Sequence, residues 1–186
     1  VDVVELLIGQ HAQIKDLFEE VVQTTGRDRE GAFFELRRLL AVHEAAEEQI
    51  VHPRTRRELG DGDLVADARL REERAAKQQI AELESLEVDT AEFVEKFAEL
   101  RAAVLIHAQA EETEEFPRLR DDLDDKQLQR MAPAVKLAES IAPTRPHPGI
   151  ELAGEHLLAG PFAAMLDRAR DVITKPRGGR PVRPTD

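Results

Sequence analysis

The chain has no cysteine, and that one absence excludes a disulfide framework, a thiolate metal site, an iron–sulfur cluster and a cysteine nucleophile. A metal ion here would have to be held by nitrogen and oxygen. Trp and Tyr are also missing, so seven Phe supply all the aromatic surface, and a tyrosinate ligand or tyrosyl radical is ruled out. Positive charge is scarce: 26 Lys and Arg stand against 38 Asp and Glu, a formal charge of −12 that is the wrong sign for a nucleic-acid partner. Nor is there an apolar run approaching the ~20 residues that cross a bilayer, or a secretory h-region, which leaves no membrane partner and a cytoplasmic location as the expectations. At 186 residues the length suits one domain, or one domain with an appendage.

What the chain does have is long stretches rich in Ala, Leu, Glu, Arg and Gln between clusters of Gly and Pro, a pattern that reads as nearly all helix. A first helix over 3–25 carries Val4, Leu7, His11, Ile14, Phe18 and Val21 on one stripe and is stopped by Gly26. A second, N-capped by Asp28, carries Leu36, Leu40, His43, Glu47 and Ile50, and bends or ends near Pro53. A third over 63–86 aligns Ala66, Leu70, Glu73, Lys77, Ile80 and Leu83. A fourth starts after Asp89 or Thr90, aligns Phe93, Phe97, Leu100, Val104, His107 and Glu111, and ends before Pro117. Four amphipathic helices with short connections predict an all-α, up-down-up-down antiparallel four-helix bundle over 1–120. Residues 121–174 read as a C-terminal helical extension packing on or capping the bundle, with a Pro-rich loop at 142–149, and 175–186 as a disordered tail.

The four helices contain an internal repeat. At an offset of 64 residues, His43, Ala46, Glu47, Glu48, Pro53 and Arg54 fall on His107, Ala110, Glu111, Glu112, Pro117 and Arg118. At an offset of 62, His11 falls on Glu73 and Lys15 on Lys77. Each copy thus offers one ligand-type residue from its first helix and a His-x-x-x-Glu pair from its second. The i, i+4 spacing turns both side chains of that pair toward one spot. His11, His43, Glu47, Glu73, His107 and Glu111 all sit on apolar stripes, at depths that agree within ~12 Å at 1.5 Å per residue. Three imidazoles and three carboxylates converging in a bundle core suit about two metal ions, because carboxylates bridge and buried anions need cations. Glu44, Glu48 and Glu112 lie 100° around from the expected ligands and read as supporting or solvated residues. His52, nine residues after His43, falls about 180° away on an ideal helix and is excluded from the cluster.

His11, His43-x-x-x-Glu47 and His107-x-x-x-Glu111 resemble the hemerythrin-like family, known for its His-His-Glu cation-binding domain, over about the first 120 residues. The resemblance implies a four-helix bundle with two non-haem iron ions, bridged by carboxylates and an oxo or hydroxo group, that takes O2 or peroxide as ligand. The family's remaining slot is usually His; here it holds Glu73. The oxygen carriers add a His one turn later, where this chain has Lys77. A carboxylate for an imidazole makes the centre more anionic, which favours ferric iron and turnover over reversible O2 carriage.

The expected function is therefore a diiron oxidoreductase, with catalase-like peroxide turnover or oxygenase or oxidase chemistry on O2, H2O2 or a small organic substrate. Its pocket would be walled by Phe33, Leu36, Phe97 and Leu100. Lys77 is a candidate catalytic proton donor, with a purely ion-pairing role as the plainer reading. His147 and His156 would cap the pocket mouth in a lid over 142–160, with surface histidines as the plainer reading. The alternative is a module that binds or senses O2, nitric oxide, peroxide or iron without turnover.

Overall fold

The computed structural model describes residues 1–141, so the lid, His147, His156 and the tail lie outside the described residues. Seven α-helices and two π-helical turns follow in order: α1 (Val3–Gln23), α2 (Gly26–Ala46), a π turn (Glu47–Val51), α3 (His52–Glu58), α4 (Gly62–Leu83), α5 (Ala91–Ala110), a second π turn (Glu111–Glu115), α6 (Phe116–Asp122) and α7 (Asp125–Ile141). Each π turn joins the helices on either side of it, so α2 with α3 and α5 with α6 form continuous rods. Together with α1 and α4 they make the up-down-up-down bundle, and α7 packs against α1 and α2. Among the described residues no helix is long and apolar enough to cross a membrane.

Local chemistry explains the ends. Asp2 and Glu5 exchange side-chain-to-backbone bonds of 2.9 and 3.0 Å, a capping box that starts α1. Gly26 turns the chain at φ 56°, and its N–H donates to the Asp89 carboxylate at 2.9 Å, tying the two interhelical turns at that end together. The second helix is not capped by Asp28. It begins two residues earlier, with Thr25 at the N-cap position and Asp28 inside the first turn. Thr90 caps α5, its hydroxyl accepting from the Phe93 N–H.

The two prolines do not end their rods. In each rod the widened π turn closes on the residue just before proline, His52 or Phe116. Proline then stands in the first turn of the following α segment, where a missing N–H loses no intrahelical bond.

The core divides in two. Ile14, Phe18, Phe33, Leu36, Leu40, Ile80, Leu83, Phe93, Phe97 and Leu100 fill the end nearest the Gly26 turn. Val3, Val4, Leu7, Ile50, Val51, Phe116, Leu119, Met131 and Val135 fill the other, where α7 supplies much of the apolar surface. Between them lies a layer of buried polar side chains.

Gly62 sits where α3 meets α4, and a Cβ there would overlap the Thr55 carbonyl oxygen. Gly31 in α2 has nothing within 4 Å. Urea denaturation of Gly62→Ala should therefore show a loss of about 1–3 kcal/mol from overpacking. Gly31→Ala should gain about 0.4–1 kcal/mol by restricting the unfolded chain.

Candidate metal centre

The polar layer takes His11 from α1, His43 from α2, Glu73 from α4 and His107 from α5, with Glu47 and Glu111 opening the two π turns. All six are buried, the most exposed being His107 at 8%. Ligand-type atoms of His11, His43, Glu47 and Glu111 lie within 4.8 Å of one another, and so do those of Glu47, Glu73 and His107. Glu47 belongs to both groups.

Each imidazole is held from outside the layer. The Nδ1 atoms of His11, His43 and His107 lie 2.8 Å from Glu112 Oε1, Gln10 Oε1 and Glu72 Oε2 respectively. Acceptors at Nδ1 place the ring proton there and turn the Nε2 lone pair inward, the arrangement a ligating His needs. His11 Nε2 then lies 3.2 Å from Glu111, His43 Nε2 3.3 Å from Glu47, and His107 Nε2 3.3 Å from Glu111. His11 Nε2, His107 Nε2, Glu73 Oε2 and both carboxylate oxygens of Glu47 and Glu111 are buried with no hydrogen-bond partner. Unsatisfied buried polar atoms are costly, and here they face one another with one ligand chemistry, nitrogen and oxygen. A cation fits that donor set.

The charges agree. Burial pushes the Glu47 carboxyl well above the ordinary carboxylate range, and Glu111 pushes it further. Burial also raises Glu73 against the pull of His52, and raises Glu44 to about 8 despite Lys77. Burial, with His11 beside it, lowers His43 to about 3. Glu111 moves the other way: burial would raise it, but His107 and then His11 hold it down. His107 rises to about 12 because Glu111 outweighs its burial. Within the layer the His107–Glu111 pair favours the charged forms, while burial drives Glu47 and Glu73 toward the neutral ones.

Three expected placements change. His52 is not on the far side of its rod. The π turn absorbs one residue's rotation, so nine residues after His43 its side chain stands about 80° rather than 180° away. It is buried, with Nε2 2.5 Å from Glu73 Oε1 and Nδ1 3.7 Å from Glu115 Oε1. Phe33, Leu36, Phe97 and Leu100 do not wall the pocket. Phe33 and Phe97 pack on each other and on Phe93, with centroids 5.2–6.1 Å apart, inside the apolar end of the core. The cavity beside the layer, about 260 Å³, is lined instead by Ile14 and Leu40, by Ala75 and Ala76 of α4, and by Ala103, Val104 and Ile106 of α5, with His11, His43, Glu44, Glu73 and His107 on its inner side. It reaches the surface between α4 and α5, where Ala75, Ala103 and Ile106 are exposed. Glu44 is not solvated but buried. Lys77 pairs with Glu48 and lies 3.7 Å from Glu44.

The sequence reasoning missed Gln10, Glu72 and Glu115. Gln10 and Glu72 each precede a layer residue directly, and Glu115 is one of the four glutamates in the second π turn. An uninterrupted helical pattern running through a proline at the same place in both repeats was the available sign of the π turns.

The family model described as hemerythrin HHE cation binding domain matches residues 2–119. A curated DNA nickase from Nostoc sp. (strain PCC 7120 / SAG 25.82 / UTEX 2576) is 26% identical over 131 residues, which cover 70% of this chain. The match spans only 37% of that relative's length. The crystal structure of a hemerythrin HHE cation binding domain-containing protein, the Rv2633c homolog from Mycobacterium kansasii, superposes with a TM-score of 0.67 at 20% identity, covering 75% of this chain and 86% of the other. That likeness is one of fold.

A cation entering the layer must displace protons from Glu47 and Glu73, both held above the ordinary carboxylate range. The apparent affinity for a divalent ion, measured by competition with a chelating indicator, should rise as the pH is raised from the ordinary carboxylate range toward neutrality, with protons released on binding. An affinity flat across that range contradicts entry into this layer.

Proposed function

The chain belongs to the hemerythrin HHE cation-binding family, and on that premise we propose that the layer holds two iron ions and that the loaded protein is an oxidoreductase acting on peroxide or O2. The observation that carries this reading is the convergence of buried, partnerless nitrogen and oxygen atoms from three helices and two π turns, with His43 of α2 beside them. His11, His43, Glu47 and Glu111 would hold one ion. Glu73 and His107, with Glu47 shared, would hold the other. When bound, the irons supply the electron transfer that no side chain of this chain provides.

The protein's own groups do the rest. Gln10, Glu72 and Glu112 fix the three imidazoles so that their inner nitrogens stay aimed at the layer. The cavity admits only a small molecule, which would reach the layer past a wall of Ala, Ile, Leu and Val. Glu44 on the cavity wall and Lys77 behind it form a carboxyl–ammonium pair within 3.7 Å that holds a proton beside the reacting space. Lys77 does not line that space, so its part is to position and charge Glu44.

Peroxide disproportionation is the reaction that needs no further reductant: one molecule is oxidised to O2 while another is reduced to water. Glu73 in place of imidazole favours it, since an anionic centre supports the higher oxidation state and weakens reversible O2 carriage. DNA nicking is named for the Nostoc relative, and the formal charge of −12 on this chain favours a small neutral substrate over a phosphate backbone.

Plasma mass spectrometry on protein purified without an affinity tag should find about two irons per chain, the number that three imidazoles and three carboxylates able to bridge suit. His43→Ala and Glu73→Ala should lose one or both. An oxygen electrode should record O2 evolution from peroxide by the loaded wild type and little from either variant. Iron without turnover would reduce the protein to a binding module, and a folded, stable protein indifferent to iron would make the layer a structural hydrogen-bond network.

A further inference from the structure

The two halves of the chain support their layer residues by an exchanged pair of contacts. Residues 52 and 116 occupy matched places, 64 apart, immediately after the two π turns. Residues 11 and 73 are matched at the offset of 62. Phe116 lies flat on His11, ring centroids 5.9 Å apart and planes at 13°. At the symmetric contact His52 Nε2 lies 2.5 Å from Glu73 Oε1. Each residue that follows a π turn therefore braces the first-helix residue of the opposite hairpin, by stacking in one case and by a hydrogen bond in the other.

The difference follows from what is being braced. His11 already has its outer nitrogen on Glu112, so a flat apolar ring is enough to hold it. Glu73 is a flexible carboxylate with two equivalent oxygens, and burying it without a donor is costly. His52 gives it one. That leaves Oε2 buried without a partner, on a residue whose ligand atom lies within 4.8 Å of those of Glu47 and His107. Behind the His52 ring, Nδ1 lies 3.7 Å from the Glu115 carboxylate, which accepts from the Thr55 hydroxyl. Thr55 and Glu115 are completely buried.

We propose that His52 is the positioning residue of the second metal position: its Nε2–H holds Glu73 by one oxygen and so presents the other beside Glu47 and His107. Between the halves the imidazole has moved from the braced place to the bracing one. In one half the imidazole of His11 is braced by the apolar ring of Phe116; in the other the carboxylate of Glu73 is braced by the imidazole of His52. This inference rests on the two-ion reading above. It makes the two positions inequivalent, since only at the second does the residue that follows a π turn brace its partner by a hydrogen bond.

Cobalt(II), added stepwise and followed by its visible absorption and by calorimetry, separates the two positions. His52→Phe copies the other half's brace without its ligand, and should weaken the second binding step by about 10–100-fold, the usual loss for a partner of a ligating side chain, while leaving the first step unchanged. His52→Gln keeps an N–H donor and should bind both ions. His52→Phe combined with Glu73→His reproduces the His11–Phe116 pair in full and should regain the second step. If His52→Phe alone does not fold, the Gln and double variants carry the test by binding two ions. Unchanged second-step affinity and spectrum in His52→Phe, equal loss of both ions in a folded variant, or a folded double variant without the second step would overturn the inference alone. A wild-type chain that binds no cobalt overturns the two-ion reading and this inference with it.

Discussion

Burial of ionisable groups between two apolar clusters is the constraint on which the rest of this structure depends. Six His and Glu side chains lie in a layer with hydrocarbon on both sides, and Glu47 and Glu111 are fully enclosed. A charge moved into such surroundings without compensation is destabilising by several kcal/mol after relaxation, roughly half or more of a small domain's net stability. The outer partners satisfy only the far side of each imidazole. Every inner atom depends on its neighbours in the layer or on a cation. The helices bring the residues together, the π turns aim them, and the two apolar clusters bury them, but the layer is stable only with the charges balanced.

The π turns solve a geometric problem that an ideal helix cannot. A strict 100° step per residue carries a side chain off the buried stripe within a turn or two of Glu47 or Glu111. Absorbing one residue returns the following positions to the interior, so His52, Thr55, Glu115 and Phe116 become a second row of buried side chains behind the first. That row is where the halves differ most. One has a ring stacked on an imidazole, the other a ring bonded to a carboxylate.

The bundle and its six-residue layer were legible in the sequence because their information is periodic. Apolar stripes, the His-x-x-x-Glu spacing and the offsets of 64 and 62 all follow from a regular helical step, and the structure brings the six residues to one level. What was not legible depends on departures from that step or on choices between neighbours. His52 was placed on the wrong face because a π turn changes the phase, and the proline that follows it reads first as a stop. Pro53 and Pro117 read as stops because their role inside the rods exists only once the turn before them widens. Gln10 and Glu72 adjoin layer residues, and nothing in their identity says that their side chains curl back onto the imidazoles of other helices. Phe33 and Phe97 were assigned to the pocket wall, but aromatic rings with one another within reach pack together and leave the wall to Ala, Ile and Val.

Gln10 makes two bonds at once. Its carbonyl oxygen meets His43 Nδ1, and its amide nitrogen donates to Glu139 of α7 at 2.5 Å. An amide bonded at both ends cannot be turned over without losing both, so the proton on His43 is addressed from a helix twenty residues past the end of the family match at 119. The family model and the chemistry of the layer therefore draw their borders in different places. A fragment trimmed to residues 2–119 would keep every layer residue and still leave one imidazole free to choose its tautomer.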